Sequence, residues 1–145
     1  MKSLLLKKIL YLFLFVTATS LISCGDDSDC NPPVIQLTEV GHENSKMAYA
    51  GQDFHLEADI VAENGVKSIE VVLRKTDDDS YVMSETYDDS KYAGVRNVEF
   101  HEHVFVPADM PEGEYLLRMT VTDMKGGNAT AESMLTVSQM VLTDE

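Results

Sequence analysis

The 145-residue sequence predicts an all-β protein, a single antiparallel β-sandwich of about seven strands. Three observations carry this. Short segments alternate apolar and polar residues with period two, Gly, Pro, Asn and Asp clusters separate them, and no segment of useful length shows the helical period. No internal repeat is present.

The strands are taken in chain order. Pro32 and Pro33 precede VIQLTEV, residues 34–40. Gly51 and Gln52 precede residues 53–62, where Phe54, Leu56, Ala58 and Ile60 alternate with His55, Glu57 and Asp59. Asn64 and Gly65 supply a turn, and residues 67–75 follow with Ile69, Val71 and Leu73 on one face. TDDDS breaks the chain before YVMSETY, residues 81–87, and DDSKYAGVR forms the longest loop. Residues 97–106, 113–123 and 129–137 complete the set.

The stretch PEGEYLLRMTVTDMKGGNATAESMLTV is similar to the last two strands of bacterial immunoglobulin-like domains. Its matching positions are Pro111, Gly113 and Tyr115 in the turn and Asp123, Gly126, Gly127 and Asn128 in the hairpin. The resemblance implies a corner tyrosine, Tyr115, whose hydroxyl tucks onto the backbone near the start of the sixth strand. Tryptophan is absent and no disulfide pair is available, so antibody-type domains are not the comparison.

The chain opens with Lys2, Lys7 and Lys8 ahead of an apolar run, residues 9–16, too short to span a bilayer. This is the pattern of an export signal over residues 1–23. It ends in Leu21, Ile22, Ser23 and Cys24, which resembles the lipobox of bacterial lipoproteins and implies acylation of Cys24. At about 0.8 kcal/mol per buried methylene, several acyl chains would anchor the protein to a membrane. The acidic GDDSD that follows resembles an outer-surface export signal, so display on the outer membrane is expected, with a periplasm-facing anchor as the alternative. Residues 24–32 are the acylated cysteine and linker, 33–138 the sandwich and 139–145 a tail. Cys30 is left without a partner and is given no role. With its anchor, its His-x-His strand and its ending, the chain resembles a family of bacterial surface lipoproteins, the domain of unknown function 4625 family; that implies a fold and an address but no activity.

Without residues 1–23 the chain keeps 122 residues, enough for one domain. It then carries eight basic and 25 acidic side chains, a net charge of −17, which repels nucleic acid and anionic membrane surfaces.

In VEFHEHVFVP, residues 98–107, the inward set is Val98, Phe100, Glu102, Val104 and Val106, four of five apolar, so His101 and His103 point outward together. Glu102 then faces the core, which a bulge or a strand-end position would relieve; failing both, the faces are exchanged. The second and fifth strands of an immunoglobulin-like sandwich are antiparallel neighbours. With Asp53 and Val106 at the same end, His55 falls opposite His103 and Glu57 opposite His101, at Cβ separations of about 4.5–5.5 Å. Three imidazoles and a carboxylate then share one patch suited to Zn²⁺ or Cu²⁺, which favour imidazole nitrogen. The other interpretation is a solvated polar face. His42 is either a further ligand or loop surface.

Asp77, Asp78, Asp79, Asp88 and Asp89 match no calcium loop and are expected to be solvated turns. No Gly-x-Ser-x-Gly, Cys/His pair, His-Glu-x-x-His helix or phosphate-cradling loop occurs, so a binding module rather than an enzyme is expected. Two functions stay open. One is capture of a transition metal or metal-bearing ligand by His55, His101, His103 and Glu57 for an outer-membrane importer. The other is a structural or adhesive module that binds an extracellular protein or glycan through Tyr81, Tyr87 and Tyr92, residues whose simpler role is sheet packing.

Overall fold

A computed structural model describes residues 31–77 and 81–139. The expected export signal, Cys24, Cys30, Asp78, Asp79 and residues 140–145 lie outside the described residues. The strands are β1 (Val34–Val40), β2 (Met47–Tyr49), β3 (Asp53–Val61), β4 (Val66–Lys75), β5 (Val82–Tyr87), β6 (Asn97–Phe105), β7 (Gly113–Asp123) and β8 (Asn128–Ser138). They form two packed sheets, β1-β3-β6 and β2-β8-β7-β4-β5. Seven strands stand where the alternation predicts them. The eighth, β2, was not predicted, because three residues are too few to show a period; its parallel pairing with β8 defines it.

The core lies between the sheets. Phe54, Leu56, Ala58 and Ile60 of β3 and Val98, Phe100 and Val104 of β6 meet Ile69, Val71 and Leu73 of β4 and Leu117, Met119 and Val121 of β7, all buried. Fully burying side chains of this size is worth about 1.5–3 kcal/mol each, which fixes the faces of both inner strands. Tyr115 closes one corner, its hydroxyl donating to the Pro111 carbonyl at 2.7 Å, as the resemblance implied.

The β3–β6 ladder runs without a break from Asp53↔Phe105 to Val61↔Asn97. Neither a bulge nor a strand end therefore accommodates Glu102, which pairs with Leu56 in mid-ladder. It is accommodated by the 88–96 loop, from which the Tyr92 hydroxyl and the Lys91 ammonium both donate to its carboxylate. Burial disfavours the charge on Glu102, yet these two donors outweigh it and hold the carboxyl below the usual range. The inward assignment of this face stands.

The same loop settles the tyrosines. Tyr92 is only 2% exposed, and its ring lies 5.4 Å from that of Phe100 and 6.2 Å from that of Tyr87. Tyr87 stands 5.1 Å from Phe100 and Tyr81 6.3 Å from Tyr115, both edge-on. The expected partner surface of Tyr81, Tyr87 and Tyr92 is thus not an exposed patch: one ring is core and the other two are half-buried against it.

Asp123 is a buried carboxylate, 1% exposed, at the end of β7. It accepts hydrogen bonds from Asn64 Nδ2 at 2.9 Å and from the amides of Lys125 and Gly127 at 2.9 and 2.8 Å. A Cβ on Gly127 would stand 3.0 Å from Asp123 Oδ2, so the second glycine of the hairpin leaves room for the carboxylate. Burial opposes its ionisation, but the donors prevail and its carboxyl titrates below the ordinary value of 3.8.

Two outcomes are expected. Asp123→Ala strands three donors and lowers unfolding free energy by about 3 kcal/mol in urea titrations. Because the folded-state value is depressed, this contribution is complete above the ordinary value and is lost as pH falls through the folded one; the stability gap to Asp123→Asn should narrow in acid. Among the described residues the buried Tyr87 hydroxyl finds no hydrogen-bond partner of good geometry, so Tyr87→Phe should leave the melting temperature unchanged or raise it. A fall of several degrees would mean that the hydroxyl is bonded.

Candidate metal centre

The outer face of β1-β3-β6 is built from the residues the core rejects. Once Phe54, Leu56 and Val104 turn inward, the period of two turns His55, Glu57, His101 and His103 outward. Register then makes them neighbours. His55 stands opposite His103 and Glu57 opposite His101, the pairing expected from the sequence. The His55 ring lies 4.2 Å from His103 and 5.5 Å from His101, and His101 lies 5.8 Å from His103. One ring nitrogen from each of the three falls within 4.8 Å of the others. Ligation at the usual Zn–N distance of about 2.1 Å asks only for rotation of side chains whose backbone is already placed.

Two of the three histidines have a carboxylate of their own. His101 Nδ1 lies 2.6 Å from Glu57 Oε1, and His103 Nδ1 lies 2.5 Å from Asp53 Oδ2. In its neutral form, an imidazole that donates from Nδ1 to a carboxylate keeps its lone pair on Nε2, the arrangement that orients metal-ligating histidines in proteins. Glu57 is therefore placed to position His101 and fix its tautomer, an assisting role. The hydrogen bond to His103, joined by a backbone amide, holds the Asp53 carboxyl below its usual range. His55 differs: its Nδ1 is 3.8 Å from Glu39 Oε1, beyond hydrogen-bond reach.

Sequence reasoning missed Asp53 and Glu39, for different reasons. Asp53 lies two residues before His55 on the same face and diagonal to His103, so the alternation carries a signal for it. Glu39 has none. Strict alternation in β1 puts Glu39 on the inward face with Ile35 and Leu37. The register of β1 on β3 shifts between Leu37 and Glu39, and this bulge at Thr38 sends Glu39 outward opposite Glu57 while Val40 returns to the core.

His42 also joins the cluster. Its ring lies 5.9 Å from that of His55, and Glu39, His42 and His55 form a second group whose ligand atoms lie within 4.8 Å of one another. His42 opens a single 3-10 turn (His42–Asn44) held against β3 by the Gly41 amide, which donates to the His55 carbonyl at 2.9 Å. The turn has left-handed backbone at Glu43, Asn44 and Lys46, with φ of 53, 58 and 60°, a conformation that costs non-glycine residues about 1–2 kcal/mol each. The Asn44 side chain offsets part of this by accepting from the Val40 amide at 3.0 Å. Between this turn and β3 lies a groove of about 480 Å³ lined by His42, Met47, Tyr49, Phe54, His55 and His103.

The face is one-sided in charge. Its outward positions carry Glu39, Asp53, Glu57, Asp59 and Glu99 and no lysine or arginine. Asp59 stands directly opposite Glu99, a like-charge pair that destabilises a sheet and that a nearby cation would relieve. The three tyrosines take no part in this face.

No curated protein matches the chain. The family described as Domain of unknown function (DUF4625) matches residues 22–138, a span that takes in every strand among the described residues and the whole histidine face, and the chain belongs to that family.

Proposed function

We propose that the protein is a lipid-anchored module of the cell envelope that binds a transition-metal ion, free or ligand-borne, on the outer face of β1-β3-β6. The anchor rests on the lipobox-like Leu21, Ile22, Ser23, Cys24 alone. The acidic GDDSD that follows supports display at the outer membrane, where an importer is the partner proposed to receive the ion. The observation that carries the metal reading is the trio His55, His101 and His103 with carboxylates on two Nδ1 atoms. Surface histidines that merely solvate a sheet have no need of oriented tautomers; ligands do. The acidic face adds a field that concentrates cations of any kind, and the imidazoles select borderline ones such as Zn²⁺ and Cu²⁺ over Mg²⁺ or Ca²⁺. The role is binding rather than catalysis, and an adhesive role through the tyrosines lacks the exposed surface it requires.

Calorimetric titration of the untagged protein, with any free cysteine thiol blocked, tests this. Zn²⁺ or Cu²⁺ should bind with a micromolar or tighter Kd, and binding should vanish in the variant carrying His55→Ala, His101→Ala and His103→Ala. Equal binding by both proteins would refute the reading. Glu57→Gln and Asp53→Asn should each weaken binding by about 10–100-fold while leaving the melting temperature unchanged. If neither does, the carboxylates are not orienting ligands.

A further inference from the structure

The cluster holds more ligands than one ion of this kind uses. We infer that His55 is shared by two alternative coordination sets, one on the open sheet face with His101 and His103 and one at the groove with Glu39 and His42, between which a single ion exchanges. This rests on the metal reading above.

Four observations lead to it. Both sets bring their ligand atoms within 4.8 Å, and His55 is the residue common to them. His101 and His103 are each tied through Nδ1 to a carboxylate, whereas His55 Nδ1 stands 3.8 Å from Glu39; its tautomer is left open, as a ligand that serves two sites requires. A neutral imidazole has one lone pair on its ring nitrogens, so the sets exclude one another and the chain holds one ion at a time. Finally, Glu39 Oε1, the oxygen that faces His55 Nδ1, accepts from the Glu43 amide at 2.8 Å, which fixes the carboxylate beside the histidine.

The two sets differ in kind. Face ligands sit on paired strands and offer three nitrogens. Groove ligands offer two nitrogens and one oxygen, and His42 rides on a left-handed turn rather than on a strand. The groove set is therefore the weaker and more adaptable one, and two of its members, His42 and His55, line a space of about 480 Å³, with His103 of the face set at its border, that admits a small organic ligand carried by the metal.

Cu²⁺ titration of four variants, followed by calorimetry and by electron paramagnetic resonance, tests the sharing. The wild type should bind one ion with a three-nitrogen signature. The variant with His101→Ala and His103→Ala should still bind one ion, about 10–100-fold more weakly, with a two-nitrogen, one-oxygen signature. Adding His42→Ala to it should remove that residual binding, and His55→Ala alone should weaken binding more than His42→Ala alone. Total loss in the His101/His103 variant would overturn the groove set while leaving the face set intact. Residual binding that ignores His42→Ala would overturn it too, as would two ions bound to the wild type. Absence of binding by the wild type would overturn the metal reading itself, a result distinct from the others. Every position changed is a surface one, so unchanged melting temperatures should accompany the series.

Discussion

The β3–β6 ladder is the constraint on which the rest of the molecule depends. Each strand must send one face into the core, and a slip of one residue would exchange Phe54, Leu56, Ala58 and Ile60 for His55, Glu57 and Asp59. Phe54, Leu56 and Ile60, each worth about 1.5–3 kcal/mol when buried, exceed anything the outward residues gain from one another. The register that brings His55 to His103 and Glu57 to His101 is therefore fixed by the core. A histidine cluster held in this way keeps its geometry through changes on its own surface.

Two departures from alternation adjust this plan, and both come from the strands or loops beside the ladder. Glu102 is the one charged inward residue of β6, and it stays because the 88–96 loop folds over it with Tyr92 and Lys91. That loop thereby gains a fixed anchor, and its tyrosine fills the core beside Phe100. The second departure is the bulge at Thr38. One extra residue in β1 reverses the faces beyond it, so that Val40 seals the core and Glu39 joins the histidines. The carboxylate of the groove set thus owes its position to a local irregularity in pairing.

What was legible in the sequence follows from this difference. Facing and register of β3 and β6 obey a period of two and a topology carried by the ending from Pro111 to Asn128, so the three-histidine patch was readable residue by residue. The corner hydroxyl of Tyr115 and the hairpin at Asp123 were readable because turn residues have fixed roles. Glu39 was not, since nothing in VIQLTEV marks Thr38 as a bulge. β2 was not, since three residues define a strand only through their partner. Tyr81, Tyr87 and Tyr92 were misplaced as a surface because Tyr92 enters the core from a loop, where periodicity says nothing about direction.

Charge and ligand chemistry act on this face at different ranges. Five carboxylates with no lysine or arginine among the outward residues set up a field felt over about 8 Å at physiological ionic strength, and that field does not distinguish one cation from another. Discrimination comes only at contact, where imidazole nitrogen favours borderline metals. Three ligands on an open sheet leave at least one coordination position of a four-coordinate ion to water. An ion held so would be stable enough to accumulate and open enough to be taken by a fourth ligand from another molecule. Storage would call for a closed shell of protein ligands. A half-exposed trio backed by carboxylates, with a second set one histidine away, suits capture followed by transfer, and under the proposed function it is the openness of the site that would let an importer receive the ion.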